Sequence, residues 1–299
     1  MVDTQQEMES IWRRVNAWLT EALPQMISLR RDLHAHPEPA GEEVRTTDVL
    51  GQHLKSSGLR IQRWNDLHGL IADINAGDTK DSTVAVRADI DCVEIDDEKD
   101  VDWQSTRTGC CHACGHDAHA TMAYFAAAAI QQEGDSIAGI AQRNARFIFQ
   151  PAEEAATGAM AMIERGAVKD VDRIVALHCE PYLDTGWVGV RDGPITANLQ
   201  SFTIKITGRG GHSARPHESI DPIPAAVNLV SLLYQLAPRS VDSRRAQCIT
   251  VTSMRTGDAM NAIPETAVIN GTIRAARLEE AQALERVVRT CSEAACVAT

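Results

Sequence analysis

Apolar residues recur at helical spacing from about Ile11 to Leu33, and the run stops at Pro37 and Pro39, which cannot continue a helix. A second amphipathic helix is expected from Glu42 to Gly58, and both read as surface helices with one buried stripe. Two short β-rich runs follow. GLIADINAG from Gly69 and TVAVRADID from Thr83 predict strands, the second apolar enough to be buried on both faces. An Ala-rich helix, HATMAYFAAAAIQQ, is expected from His119. Strand ARFIFQPAEE, helix ATGAMAMIERG and strand DRIVALHC then alternate, which predicts βαβ units around a largely parallel sheet.

At DGPITAN, from Asp192, the pattern changes. Strand LQSFTIKITG, helix DPIPAAVNLVSLLYQL, strands QCITVTSMRTG and AVINGTIRAA, and helix EEAQALERVVRTCSEAA follow in that order. This β-α-β-β-α succession matches a split βαβ, ferredoxin-like unit whose closing strand would come next. A chain of 299 residues also exceeds the usual size of a single core. Two domains are therefore expected, an α/β one at 1–195 and an incomplete α+β one at 196–299. No internal repeat or low-complexity segment interrupts them.

The formal net charge of -12 argues against nucleic acid or an anionic membrane surface as partner, since both are polyanions, and favours a small molecule. No apolar run reaches the roughly 20 residues that span a bilayer, and the polar start MVDTQQEMESIWRR lacks a signal-peptide core, so a cytoplasmic setting is expected. Eight cysteines are scattered along the chain, with Cys110, Cys111 and Cys114 close together. That usage suits reduced thiols and a metal site better than a disulfide framework.

In a parallel α/β sheet, functional residues gather at the carboxyl ends of the strands. Arg87 to Asp89 with Asp91 end one strand, CHACGHD opens the Ala-rich helix, Gln150 to Glu154 end another strand, and His178 ends a third. Cys114 and His116 flank Gly115, so both side chains can enter one crevice. Thiolate, imidazole and carboxylate together suit zinc, manganese, cobalt or nickel. Each residue alone has an ordinary reading, Cys as a small hydrophobe and His as a satisfied core or surface group. Cys111-x-x-Cys114 can also be read as a redox pair. Glu153 and Glu154 are adjacent, so one can bind metal while the other works on water, or both can form a solvated acidic start to the next helix.

The runs LRRDLHAHPEPAGEE, VAVRADID, HACGHDAHA, FIFQPAEE, ALHCEP, GRGGHSARPHESIDPI and NAIPETAVINGTIR occur in order from Leu29 to Arg274. Together they resemble the M20 metallopeptidase family, in particular its amidohydrolase branch with hippurate hydrolase, auxin-conjugate hydrolases and N-acetyldiaminopimelate deacetylase. The resemblance implies hydrolysis of the amide bond of N-acyl amino acids at two divalent ions. It implies Cys114 as the bridging ligand, His116 and His178 as terminal ligands and Glu154 as the carboxylate ligand. Glu153 is then the general base and Asp89 a supporting acid. In the smaller domain, used for homodimerisation, it implies that His212 stabilises the oxyanion of a neighbouring site and that Asn261 and Arg274 hold substrate. It also implies a further metal-binding His on a C-terminal stretch beyond these 299 residues. The chain is then expected to be either a piece of a longer enzyme or a short form serving as a binding or dimerisation module.

Overall fold

A computed structural model describes residues 4–74, 82–134 and 144–297. The chain divides into two compact units, Met1–Asp184 and Thr185–Thr299. Among the described residues no helix is long and apolar enough to cross a membrane.

Unit 1 begins with α1 (Thr4–Ala35) and α2 (Val44–Ser56), then β1 (Arg60–Gln62), β2 (Leu70–Ile74) and β3 (Thr83–Asp89). It continues with α3 (His116–Gln132), β4 (Asn144–Gln150), α4 (Gly158–Glu164) and β5 (Arg173–Ala176). Residues 75–77 of the GLIADINAG run lie outside the described residues. Period-2 alternation decides which layer each strand residue joins. Leu70, Ala72, Phe147, Phe149 and Ala88 point to one face, where they pack with Leu29 and Leu33 of α1, Leu50 and Leu54 of α2, and the alanines of α3. Ile71, Ala85 and Ile148 point to the other face, against Met162 of α4. The alanines explain why α3 can lie in the middle of the principal core: small side chains let it approach the sheet and α1 closely. The result is a three-layer α/β unit.

The sheet has the order β1-β2-β4-β3-β5 and is mixed, not largely parallel as its pattern of elements suggests. β3 pairs in parallel with β4 and β5, but β1 with β2 and β2 with β4 are antiparallel. For the β1–β2 pair the physical reason is the connection between them. A parallel pair needs a crossover of a dozen or more residues, and the short loop 63–69 can only return the chain as a hairpin. β5 lies at the edge, and Ile174 and Val175 on it are exposed.

Unit 2 holds β6 (Asn198–Thr207), β7 (Gly211–His212), α5 (Pro222–Ser240), β8 (Gln247–Thr256), β9 (Ala262–Ile263), β10 (Thr266–Ala275) and α6 (Leu278–Val297). β6, β10 and β8 form an antiparallel sheet in that order, and β7 pairs with β9 separately. Ala267, Ile269, Ile273 and Ala275 of β10 alternate onto a core with Leu229 and Leu233 of α5 and Leu284 and Val288 of α6. The start of α5 follows from IDPI: the Asp221 side chain accepts the Ile223 N–H at 2.9 Å, and Pro222 takes the first helical position, where no N–H is needed. The two-residue strands β7 and β9 carry no pattern long enough to be read from the sequence.

Phe149 is fully buried between the sheet and its helices, so Phe149→Ala should cost about 3–5 kcal/mol through lost apolar burial and the cavity left behind. Chemical denaturation checks this; a loss under about 1 kcal/mol would show that unit 1 does not depend on this layer.

Candidate metal centre

The parallel pairing of β3 with β4 and β5 brings three carboxyl-terminal strand ends side by side. Asp89 closes β3 opposite Gln150 of β4, the Pro151 to Glu154 loop leaves β4, and His178 follows β5. The fourth contributor is a helix start, not a strand end. Gly115 sits at φ +85° immediately before α3, where a Cβ would meet the Cβ and Sγ of Cys179 at 3.0 Å. Glycine therefore allows Cys114 and His116 to turn into the same space.

Cys114 Sγ lies 3.3 Å from His178 Nε2. His116 Nε2 is 3.7 Å from Glu154 Oε1, 4.0 Å from Glu153 Oε2 and 3.6 Å from Asp89 Oδ2. The sets Cys114/His116/His178 and His116/Glu153/Glu154 each offer ligand atoms within 4.8 Å of one another. His116 is buried, and its Nε2 has no hydrogen-bond partner among the described residues. An aromatic nitrogen without a partner, facing thiol and carboxylates, is the arrangement a borderline metal ion completes. The residues present fit such an ion.

The electrostatics agree. Burial, followed by the charges of Glu154, Asp89 and Glu153, pushes the Cys114 thiol up to about 12. Burial also raises Glu154, with Glu153 and Asp91 adding to the rise and His116 opposing it. Burial would lower His116, yet Asp91, Asp89 and Glu154 outweigh it and raise its pKa. A divalent cation would reverse this balance for the thiol and carboxylates and would expel protons as it bound.

The loop carrying the two glutamates is held by its backbone. Glu43 Oε1 accepts the Ala152 N–H at 2.7 Å, and Asp91 Oδ2 accepts the Glu154 N–H at 2.9 Å. Ala152 adopts φ +49°, a left-handed conformation costing an alanine on the order of 1 kcal/mol, which these grips sustain. Gly158 packs directly on the Pro151 carbonyl, leaving no room for a Cβ.

His119 and Asp91 received no role from the sequence. His119 lies one turn along α3 from His116, and its Nδ1 is 2.6 Å from Asp89 Oδ1, while the Cys179 N–H points at its Nε2 from 2.8 Å. Asp89 thus leans on His119, tying β3 to the segment that presents His178. Burial opposes a charge on His119, but Asp89 favours it and raises its pKa to about 9. The Cys179 side chain adds to the rise, while its backbone N–H is satisfied only by an unprotonated Nε2. The i, i+3 spacing of His116 and His119 was the available signal. Cys111 belongs elsewhere: its Sγ is 3.6 Å from Lys99 Nζ, in a separate cluster with His34 and Asp97, which leaves the redox-pair reading of Cys111 and Cys114 without support.

In unit 2, β7 and β9 set His212 opposite Ala262, and the Ser213 N–H donates to the Asn261 carbonyl at 3.0 Å, so His212 and Asn261 are neighbours. The Ala214 N–H donates to His212 Nδ1 at 3.1 Å, so the proton sits on Nε2, which is free to donate. Arg274 is exposed near the far end of β10, eight residues past Thr266, or about 26 Å along the strand. It does not join that pair.

Residues 85–294 match the family described as Peptidase family M20/M25/M40. The chain belongs to this family. It is 38% identical to an N-acetyl-L-cysteine deacetylase of Bacillus subtilis over 84% of this chain and 59% of that protein. It is 36% identical to IAA-amino acid hydrolase ILR1-like 4 of Arabidopsis thaliana over 84% of this chain and 56% of that protein. The chain thus spans less than two thirds of the length of these two relatives. The crystal structure of the Bacillus subtilis YXEP protein, described as a dinuclear metal binding peptidase from the M20 family, superposes with a TM-score of 0.76 at 32% identity, over 92% of this chain and 70% of that one.

Burial would raise Asp89, but His119, His116 and Arg87 hold it down to about 2, below its ordinary 3.8. A depressed carboxylate stabilises the fold above its unfolded pKa, and that contribution is lost as pH falls from about 4 to about 2. In metal-free protein, Asp89→Asn should therefore remove up to about 2 kcal/mol of stability at neutral pH and flatten the stability curve between those values. Denaturant melts across pH 2–7 check this; parallel curves for the two proteins would refute it.

Proposed function

We propose that the chain carries the metal centre of an amidohydrolase that cleaves N-acyl amino acids. The observation that carries this reading is the buried, partnerless Nε2 of His116 amid Cys114, His178, Glu153 and Glu154 at the strand ends. Cys114, His116, His178 and Glu154 would hold the metal. When bound, two divalent ions would polarise an acyl carbonyl and lower the pKa of a water molecule toward 7. Glu153, partly exposed and beside His116 Nε2, would act as general base toward water and then as general acid toward the departing amine. His212, with its Nε2–H free, donates to the oxygen on which negative charge develops. Asn261, its neighbour, would contact the same substrate. The names of the N-acetyl-L-cysteine deacetylase and the IAA-amino acid hydrolase favour an amino acid acylated on nitrogen as substrate.

The succession β6-α5-β8-β10-α6, with sheet order β6-β10-β8, supports a ferredoxin-like lid that pairs two copies of the chain. A cytoplasmic setting accords with cysteines that are all unpaired.

Glu153→Gln should keep metal content while lowering turnover of N-acetyl, N-benzoyl or indoleacetyl amino acids by about a hundredfold or more, as loss of a general base does. Cys114→Ala should lose bound metal instead. Undiminished turnover in the first variant, or full metal occupancy in the second, would remove the residue from its role. Added manganese, cobalt or zinc identifies the ion that supports turnover, and a metal-loaded chain that hydrolyses none of these substrates would leave a binding module.

If His212 serves a neighbouring copy, mixing inactive Glu153→Gln with inactive His212→Ala chains should restore up to about a quarter of wild-type activity, because one site of a mixed dimer regains both groups. No recovery after confirmed subunit exchange would confine His212 to its own chain.

A further inference from the structure

We infer that His34, Asp97 and Cys111 form a separate metal site for a divalent cation of the zinc class, which Lys99 guards by standing in for the ion. The three side chains come from different parts of unit 1: His34 from the last turn of α1, Asp97 from the loop after β3, and Cys111 from the segment ahead of α3. All three are buried, and each offers a ligand atom within 4.8 Å of the others. Ligand atoms around a tetrahedral zinc ion lie roughly 3.3–3.8 Å apart, so only a small contraction is needed. Imidazole, carboxylate and thiolate together suit zinc, cobalt or nickel.

Each donor is fixed by groups outside the cluster. His34 Nδ1 donates to Asp117 Oδ2 at 2.6 Å, and Arg30 Nε meets the same oxygen at 2.9 Å. A carboxylate behind the ring keeps a proton on Nδ1 and presents Nε2, as it does for metal-binding histidines. Asp97 Oδ2 accepts the Ser105 N–H at 3.0 Å, and the Asp97 carbonyl accepts Gln104 Nε2 at 2.6 Å. Cys111 exchanges two backbone hydrogen bonds with Val93, at 3.0 and 3.1 Å.

Lys99 marks where positive charge belongs. Its Nζ donates to Asp97 Oδ1 at 2.8 Å and lies 3.5 Å from His34 Nε2 and 3.6 Å from Cys111 Sγ, so one ammonium already serves all three donors. Asp97 Oδ2 also faces His34 Nε2 at 3.2 Å, and lone pairs that close need a proton or a cation between them. The lysine side chain is 47% exposed while the donors are buried, so it can swing into water and leave them in place. A divalent ion carries twice the charge and binds such donors at about 2.0–2.3 Å. As it enters, the Cys111 thiol gives up its proton to solvent and Lys99 departs as an ammonium. The filled site ties the end of α1 to the segment that leads into α3.

The test uses the full chain carrying Cys114→Ala, which removes the thiolate of the strand-end centre, with cobalt as the probe. Thiolate-bound cobalt absorbs in the near ultraviolet. We expect that band in Cys114→Ala, its loss when Cys111→Ser is added, and half-saturation at a cobalt concentration at least about tenfold lower when Lys99→Met is added, because a competing like charge is gone. A Cys114→Ala chain without the band overturns the inference, as does a band that survives Cys111→Ser. Unchanged cobalt affinity in Lys99→Met overturns the role of Lys99. Thermal melting of the metal-free chains shows whether each variant is folded. Should Cys111→Ser not fold, X-ray absorption of cobalt in the chain carrying Cys114→Ala and Lys99→Met must show a sulfur ligand, and its absence overturns the site. Every chain compared lacks the Cys114 thiolate, so the result stands apart from the strand-end centre and from any hydrolytic activity.

Discussion

The parallel register of β3 with β4 and β5 is the constraint on which the site depends. It puts Asp89, the Pro151 to Glu154 loop and His178 at one edge of the sheet, and the start of α3 adds Cys114 and His116. No single segment contains the cluster. The register in turn follows from burial, since slipping β4 by one residue would turn Phe147 and Phe149 away from the helices and Ile148 toward them.

Crowding so many acids is costly, and the molecule answers each in a specific way. Asp89 is matched by His119 and Arg87, and Asp91 by ring and backbone donors. Glu43 accepts a buried backbone N–H. Glu153, Glu154 and the Cys114 thiol are not matched in this way, and burial with mutual repulsion raises Cys114 and Glu154. A buried charge needs a partner or it neutralises. Here the raised Cys114 thiol and Glu154 carboxyl lie around His116 Nε2, so a cation is the element that would balance the site.

The same economy appears in the backbone. The glutamate loop tolerates a left-handed alanine at Ala152 because Glu43 and Asp91 hold it on either side and Gly158 closes on the Pro151 carbonyl. In unit 2, one backbone donor from Ala214 fixes which nitrogen of His212 carries the proton. Protonation states and side-chain directions are thus set by main-chain groups that local folding places.

Much of this was legible along the chain. Periodicity located the principal helices and strands, because apolar burial must repeat every 3.6 or 2 residues, and Pro222 after Asp221 marked the start of α5. The motifs around Cys114, Glu153 and His178 pointed to the candidate metal centre, since thiolate, imidazole and carboxylate together suit a borderline metal ion. Tertiary structure decided the rest. The antiparallel half of the sheet depends on which strands meet, and β1 is too short to announce itself by pattern. Asp91 and His119 acquire their roles only through neighbours 25, 63, 30 and 60 residues away. Hydrogen-bond partners at such separations are chosen by packing, and packing is a property of the folded chain that no local stretch of sequence contains.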